Sequence, residues 1–534
     1  MKNKETTMGY YSDIREHIAA LESKGKLVRI KRKIIKETEL MPLVRWQFRG
    51  LPEERRKAFL FENVVDITGK KYDIPVLVAS HAASRQVYAI GMMCKPNEID
   101  EKLVRAQLHP IKPKRVEYGP VHEEVHLGDK LLEHGGLEEL PIPISTPGFD
   151  NGPYLSAGNW VSKDPETGIY NVGNYRAMVK SKTRLGIFCQ PMQHIRIQWN
   201  KCKKKGVPLQ AAIAIGVSPN VGYVAVTKIP YGVSEYDVAG GIAGEPLELV
   251  RCKTVDIEVP ATAEIVIEGE LPTDSLEREA PFGEYTGYMG MEEIGPYLNV
   301  TCITHRKNPI YNAFISQFPP SESSKLREIG ESANIYKFLK YDSNLSNVLE
   351  VVQHECGSST QYCVIRLKKV DPDQVWKALN LTVEHYHSPT PKFVIAVDDD
   401  IDANDLESVV WAMSWRVQPH RDVRIVEGKS FPLDPSEHPP EKREILPPGS
   451  NSALLMDATR KWSYPPVSLP KREFMERAKQ IWEEENLPQL TPKVPWYGYP
   501  LGYWTDELAE EAELALKGEH YRTGEKFANN RHKI

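Results

Sequence analysis

The sequence has no cysteine framework. Its seven cysteines, at 94, 189, 202, 252, 302, 356 and 363, are odd in number and include no C-x-x-C pair. That pattern excludes a fully paired disulfide scaffold and fits reduced thiols in a cytoplasmic protein. Long apolar runs are missing too: none reaches the roughly 18 residues that a membrane span needs. Met1-Lys2-Asn3-Lys4-Glu5 leads into no apolar signal segment, so export is not expected. Nor is there an excess of positive charge. The formal net charge of -5 argues against a dedicated nucleic-acid binder. The basic runs Lys112-Pro-Lys-Arg115 and Lys201-Cys-Lys-Lys-Lys205 read as solvated loops. No internal repeat is apparent.

What is present is an ordinary globular composition, 41% hydrophobic and 26% charged, over 534 residues. That length exceeds one core, and about three or four domains are expected. Ser12 reads as the cap of a first helix that Gly25 ends, and residues 1–125 then mix short strands and helices as a small α/β domain. Residues 126–318 carry short apolar runs separated by Gly, Pro and Asn, such as Leu209–Ile215, Ala263–Glu268 and Leu298–Ile303. Their alternation predicts a β barrel or sandwich. Residues 319–460 return to α/β, with a strand at Lys392–Val397 running into Asp398-Asp-Asp-Ile-Asp402 and then a helix. That acidic cluster suits a helix N-terminus and lacks the rest of a calcium loop. Residues 432–449 are proline-rich and extended. The remainder, 461–534, is a helical tail with an aromatic run, Pro495-Trp-Tyr-Gly-Tyr-Pro-Leu-Gly-Tyr-Trp504. Aromatics at that density are expected to dock on this chain or on a neighbouring subunit.

The chemistry centres on Arg278-Glu-Ala-Pro-Phe-Gly-Glu-Tyr-Thr-Gly-Tyr288. Glu279 and Glu284 flank a Pro-Phe-Gly corner, which is rigid at Pro281 and free in backbone angle at Gly283. Phe282, Tyr285 and Tyr288 would supply apolar walls that raise a carboxyl pKa toward the range of proton transfer. Upstream, Asn171-Val-Gly-Asn-Tyr-Arg176, Gln193-His194 and Ser234-Glu235 offer a mixed oxygen and nitrogen set. Asn, His and Glu together suit Mn²⁺ or Mg²⁺, whereas zinc would favour Cys or several His. Taken singly, each also reads as a turn Asn, a core His or a surface Glu.

These pieces, with Val233-Ser-Glu-Tyr236, Gly240, Glu258-Val-Pro-Ala-Thr-Ala-Glu264, Lys392-Phe-Val-Ile-Ala-Val-Asp-Asp-Asp400 and Asp457-Ala-Thr-Arg-Lys-Trp462, occur in the order found in UbiD-type (de)carboxylases. The chain resembles that family over roughly residues 10 to 465. The resemblance implies an N-terminal α/β domain, a central split β-barrel like that of flavin reductases, and a C-terminal α/β domain. It implies prenylated FMN, supplied by a separate flavin prenyltransferase, as the electron sink for breaking a carbon–carboxylate bond. Asn171, His194 and Glu235 match the ligands of a divalent metal, Mn²⁺ first and Fe²⁺ or Mg²⁺ otherwise. A K⁺ ion would fall by Ala225 to Thr227 and Glu235. Asn174, Tyr175, Arg176, Phe188, Cys189, Gln190, Gln193 and His194 match cofactor contacts, and Lys392 matches a lysine near the phosphate. Arg176, Glu279 and Glu284 match the catalytic network, with Glu279 paired to Arg176 and kept ionised, and Glu284 as the acid.

The expected activity is reversible decarboxylation of an aromatic or α,β-unsaturated acid, free or as its CoA thioester. The tail is like that of members acting in anaerobic aromatic breakdown, such as phthaloyl-CoA decarboxylase. A homo-oligomer, dimer or hexamer, is expected. Rival readings are a carboxylase working in the CO₂-fixing direction, a non-catalytic subunit of a carboxylase complex, and a plain flavin- or nucleotide-binding reductase. A non-catalytic subunit would be free to lose a metal ligand or an acid, and this chain retains all six positions.

Overall fold

The computed structural model describes residues 9–368, 371–385, 391–429, 433–437, 439, 451–491, 493 and 502–530. Most of the aromatic run, residues 494–501, and most of the proline-rich segment lie outside the described residues.

At the N-terminal end, a helix at Ile14–Ser23 buries Ile14, Ile18 and Leu21. Asp13, not Ser12, caps it, accepting the Glu16 N–H at 3.0 Å, while the Ser12 N–H is taken by the Glu16 carboxylate. An aspartate at the position before the first helical residue outcompetes a serine one step further out. The adjoining four-stranded sheet runs Leu27–Ile30, Ala58–Phe61, Val76–Val78 and Tyr311–Ala313 in space. Its last strand thus comes from far along the chain and pairs in parallel with Val76–Val78.

The middle of the chain forms a nine-stranded antiparallel sheet, curled as a half-barrel. In chain order the strands are β1 (Glu124–Leu127), β2 (Tyr154–Leu155), β3 (Asn159–Lys163), β4 (Tyr170–Asn174), β5 (Ala177–Ser181), β6 (Arg184–Ile187), β7 (Leu209–Ile215), β8 (Ile265–Leu271) and β9 (Tyr297–His305). In space the order is β4-β3-β7-β8-β9-β6-β5-β2, and β1 also pairs with β9. Period-two alternation divides these strands between two cores. Trp160, Ala211, Ile213 and Ile267 fall in one, and Val161, Ala212, Ala214 and Val266 in the other. Strands buried on both faces read as continuous apolar runs, as Leu209–Ile215 does.

Four helices carry site residues: α1 (His194–Lys205), α2 (Pro219–Val226), α3 (Glu235–Ala243) and α4 (Glu322–Lys337). The lysine-rich segment expected as a loop is the end of α1. Its buried Ile195, Gln198, Trp199 and Cys202 follow helical spacing, which the lysines between them conceal, and Gly206 ends it at φ 68°.

A five-stranded mixed sheet follows, in the order Val348–Gln353, Tyr362–Leu367, Phe393–Asp398, Asn451–Ala458 and Val423–Lys429. Asp398 and Asp400 of the acidic cluster are buried and gripped by Arg416, with three hydrogen bonds of 2.8 Å. Their charge is met by a guanidinium, so the cluster acts as an ion pair. In the tail, helices at Arg472–Glu484, Asp506–Leu516 and His520–Asn529 contain no buried residue. Among the described residues, no helix is long and apolar enough to cross a membrane.

Candidate active site

The Glu279–Glu284 corner is held by two short antiparallel pairings. Glu277–Glu279 pairs with Glu293–Gly295, and Phe282–Gly283 with Met289–Gly290. Asp150 braces it: its carboxylate accepts the Gly283 N–H at 3.0 Å and the Thr146 N–H at 2.6 Å. Gly283 is needed for space, since a Cβ there would land on Thr146 Oγ1. A left-handed backbone in this stretch occurs at Gly287, φ 98°. Phe282 and Tyr285 are buried walls, as expected, but Tyr288 is 65% exposed.

Arg176, two residues beyond β4, joins the two acids. Its Nε and Nη2 donate to the two oxygens of Glu279 at 3.1 and 2.8 Å, and its Nη1 donates to Glu284. The guanidinium lies 4.1 Å from the centroid of Phe188 and 5.5 Å from that of Phe282. Exposure of the three charged side chains is only 6%, 1% and 9%. Bidentate pairing in so dry a place gives Arg176 a fixed direction. Burial pushes the Glu279 carboxyl up despite Arg176. The expected Arg176–Glu279 pairing is present, and on that carboxyl desolvation acts against the guanidinium's pull.

A cavity of about 280 Å³ opens beside this network. Arg176 and Glu284 line it, and Glu279 sits behind Arg176. Asn171, His194 and Glu235 line the same cavity. Three elements deliver them: β4 carries Asn171, and His194 and Glu235 open α1 and α3. The Val172 N–H donates to Glu235 Oε2 at 2.9 Å, and Glu235 Oε1 stands 3.6 Å from His194 Nδ1. The Asn171 amide nitrogen donates to Ser162 Oγ at 3.3 Å, so its carbonyl oxygen is the atom that could ligate an ion. One amide oxygen, one imidazole and one carboxylate, converging on a polar cavity, fit a hard divalent ion.

Asn174, Tyr175, Phe188, Gln190 and Gln193 also line the cavity, as do Ala225 and Thr227. Gln193 precedes α1 and accepts the Gln190 N–H at 2.8 Å, so that loop and the positive end of the helix face the cavity together. Two expected contacts are not in the lining. Cys189 packs against the core that holds Leu185 and Ile187, and burial pushes its thiol up to about 12. Lys392 donates to Ser436 Oγ at 2.9 Å and is bound to Asp434, the residue after Leu433, which does line the cavity.

Sequence reasoning missed Asp150 and Arg327. Asp150 lies in a Thr-Pro-Gly-Phe-Asp turn, a composition that marks a turn and nothing more, and burial raises its carboxyl to about 6. Arg327, on α4, lines the cavity 4.0 Å from the Tyr285 ring centroid, and its buried Nε has no hydrogen-bond partner among the described residues. No local motif distinguishes it from any helical arginine.

Comparison with known proteins agrees over most of the chain. Residues 18–107, 114–319 and 324–458 match the N-terminal, Rift-related and C-terminal domains of 3-octaprenyl-4-hydroxybenzoate carboxy-lyase. A phenolic acid decarboxylase of Bacillus subtilis is 31% identical over 465 residues, 84% of this chain and 92% of the relative. Among solved structures, the closed form of the vanillic acid decarboxylase of Sedimentibacter hydroxybenzoicus superposes with a TM-score of 0.78 at 29% identity, covering 89% of this chain and 100% of that one. The UbiD-class enzyme HmfF of Pelotomaculum thermopropionicum, in complex with prFMN, gives 0.73 at 31% identity, covering 86% and 97%. With all three domain models matched in order, this chain belongs to the UbiD family of carboxy-lyases.

Proposed function

We propose that this chain catalyses the reversible, non-oxidative decarboxylation of an aromatic or α,β-unsaturated carboxylic acid, free or as its CoA thioester, with prenylated FMN in the cavity. One observation carries the reading: Arg176 and Glu284 of the buried Arg176–Glu279–Glu284 network line the same cavity of about 280 Å³ as the Asn171, His194, Glu235 donor set. Similarity to HmfF, solved with prFMN, supports the cofactor.

Asn171, His194 and Glu235 would hold a divalent ion, Mn²⁺ or else Fe²⁺ or Mg²⁺, against the cofactor phosphate, with K⁺ by Ala225 to Thr227. Asn174, Tyr175, Phe188, Gln190 and Gln193 would contact the flavin, and Lys392 and Cys189 would act from outside the wall. When bound, the prenylated flavin supplies the electron sink that cleavage of an aryl or vinyl carboxylate lacks. Arg176 orients the substrate carboxylate or Glu279 through its rigid fork. Arg327, whose buried Nε has no partner among the described residues, offers a second cation to an acid entering the cavity. Glu284 gives a proton to the carbon that CO₂ has left. Direction depends on CO₂ concentration, since both directions share one transition state.

On α1, Lys201 is paired with Asp164 and Glu166, and Lys205 donates to the Pro165 carbonyl. The basic run is thus partly engaged, which favours a free acid over the CoA ester. The test is expression with and without a flavin prenyltransferase, followed by the mass and absorption spectrum of the bound flavin and by CO₂ release from paired free acids and CoA esters. Turnover only with the prenyltransferase is expected. Full turnover in a host lacking it would remove the reading.

A further inference from the structure

Strand β1 lies against the C-terminal half of β9, with His126 opposite Ile303 and Glu124 opposite His305. His126 and His305 therefore share one face as diagonal neighbours, within mutual reach. Their ring centroids are 5.0 Å apart, edge to face. Glu139, at the end of the single turn Gly136–Glu139, arrives at the same point. Its two carboxylate oxygens lie 3.0 and 3.3 Å from His126 Nδ1. One ligand atom from each of these three side chains lies within 4.8 Å of the others. None of them lines the active-site cavity.

We propose that His126, Glu139 and His305 form a second metal site, for a divalent ion of the zinc type, that ties β1 and β9 to the turn at Glu139. Two imidazoles and a carboxylate make a three-ligand set that leaves a fourth position to water. Ligands about 2.0–2.1 Å from a tetrahedral ion stand roughly 3.3 Å apart, and the His126–Glu139 pair is already at that spacing. His305 Nδ1 meets the Arg306 carbonyl at 2.8 Å. That bond puts the proton on Nδ1 and leaves Nε2 with a free lone pair, as the backing bonds of metal-bound imidazoles do.

A dication held between the two imidazoles and the partly buried Glu139 carboxylate would supply that carboxylate with a counter-charge. His134 is exposed and stacks on His126 at 3.7 Å, so it shields one face of the ring.

The experiment uses the metal-stripped full chain titrated with Co²⁺, whose tetrahedral complexes absorb visible light far more strongly than octahedral ones. The wild type and Glu235→Ala should both develop a tetrahedral band. His305→Ala and Glu139→Gln should weaken cobalt binding at that band by at least about 10–100-fold. Glu139→Gln is nearly isosteric and covers the case in which His305→Ala does not fold. A wild type without the band, a band of wild-type affinity in either folded variant, or its disappearance in Glu235→Ala would overturn the proposal.

Discussion

Gly290 lies so close to Arg176 that a methyl on its Cα would stand 2.6 Å from Nη1 and 3.1 Å from Glu284 Cγ. The guanidinium is fixed on its other edge by Glu279 and on its face by Phe188, so it has nowhere to retreat. Gly290→Ala should therefore displace the Arg176–Glu284 pair while leaving the strands intact. A shift of about 1 Å at a reacting group costs on the order of 10²-fold in rate. Steady-state kinetics on the folded variant check this, and an unchanged kcat would show that Arg176 placement does not limit the rate.

Arg416 is the only cation that hydrogen-bonds both carboxylates, Asp398 and Asp400, among the described residues, and all three side chains are under 5% exposed. Arg416→Leu would take the guanidinium from Asp400 and leave Asp398 with Arg460 alone. Removing one partner of such a pair costs about 3–5 kcal/mol. The thermal midpoint should fall by several degrees, and the C-terminal sheet should exchange its amide protons first. A loss confined to the N-terminal sheet would contradict that placement.

How much could be read from residues alone differs by kind of contact. Phe393–Asp398 was legible because a strand buried on both faces is an unbroken apolar run bounded by turn signals. The α1 helix was not, because its buried positions are spaced through lysines, and tertiary packing of Trp199 decides the matter. At the site, Glu279, Glu284 and Arg176 could be named from ordered motifs. Their mutual arrangement could not: that Arg176 grips both acids depends on how β4 and the corner approach in space. Asp150 and Arg327 act through contacts 133 residues away in one case and with a ring on another element in the other. The fourth strand of the N-terminal sheet was hidden for the same reason, since parallel pairing with Tyr311–Ala313 leaves no local signature.

His81 sets an acid limit on stability. It is fully buried between Phe314 and Tyr223, and burial lowers its pKa from 6.5 to about 3. Below pH 6.5 the unfolded chain takes up a proton that the folded chain refuses. The group's contribution is thus complete above about pH 6.5 and is lost as pH falls toward 3, at about 1.4 kcal/mol per pH unit. His81→Phe should flatten the drop in thermal midpoint between pH 6.5 and 4. An acid limb as steep as the wild type's would assign the effect to other buried histidines, such as His17.

Glu235 is held by the Val172 N–H and faces His194, so its removal breaks the donor set at its centre. Glu235→Ala should lose divalent metal from the cavity and most of the flavin with it, because the ion would link protein to phosphate. Mass spectrometry of metal content and flavin absorbance read the two losses separately. Full cavity occupancy by metal in this variant would contradict the ligand assignment.

Glu284 and Glu279 differ in the one property a proton donor needs, which is access to the substrate. Glu284 lines the cavity, while Glu279 is 1% exposed and held at both oxygens by Arg176. After CO₂ departs, the carbon that carried it must receive a proton, and the donor must lie within hydrogen-bond reach. Glu284→Gln keeps the side chain's shape and its acceptor oxygen for Arg176, and it removes the transferable proton. Turnover should fall by about 10²–10⁴-fold, the range typical of general acid–base catalysis. Flavin and metal content should stay as in the wild type, which separates lost chemistry from lost binding. Hydrogen–deuterium exchange from solvent into the product position should fall in parallel with turnover. If exchange continues at the wild-type rate, the proton comes from another group. Glu279 is then next to test, since burial raises its carboxyl and favours the protonated form a donor requires.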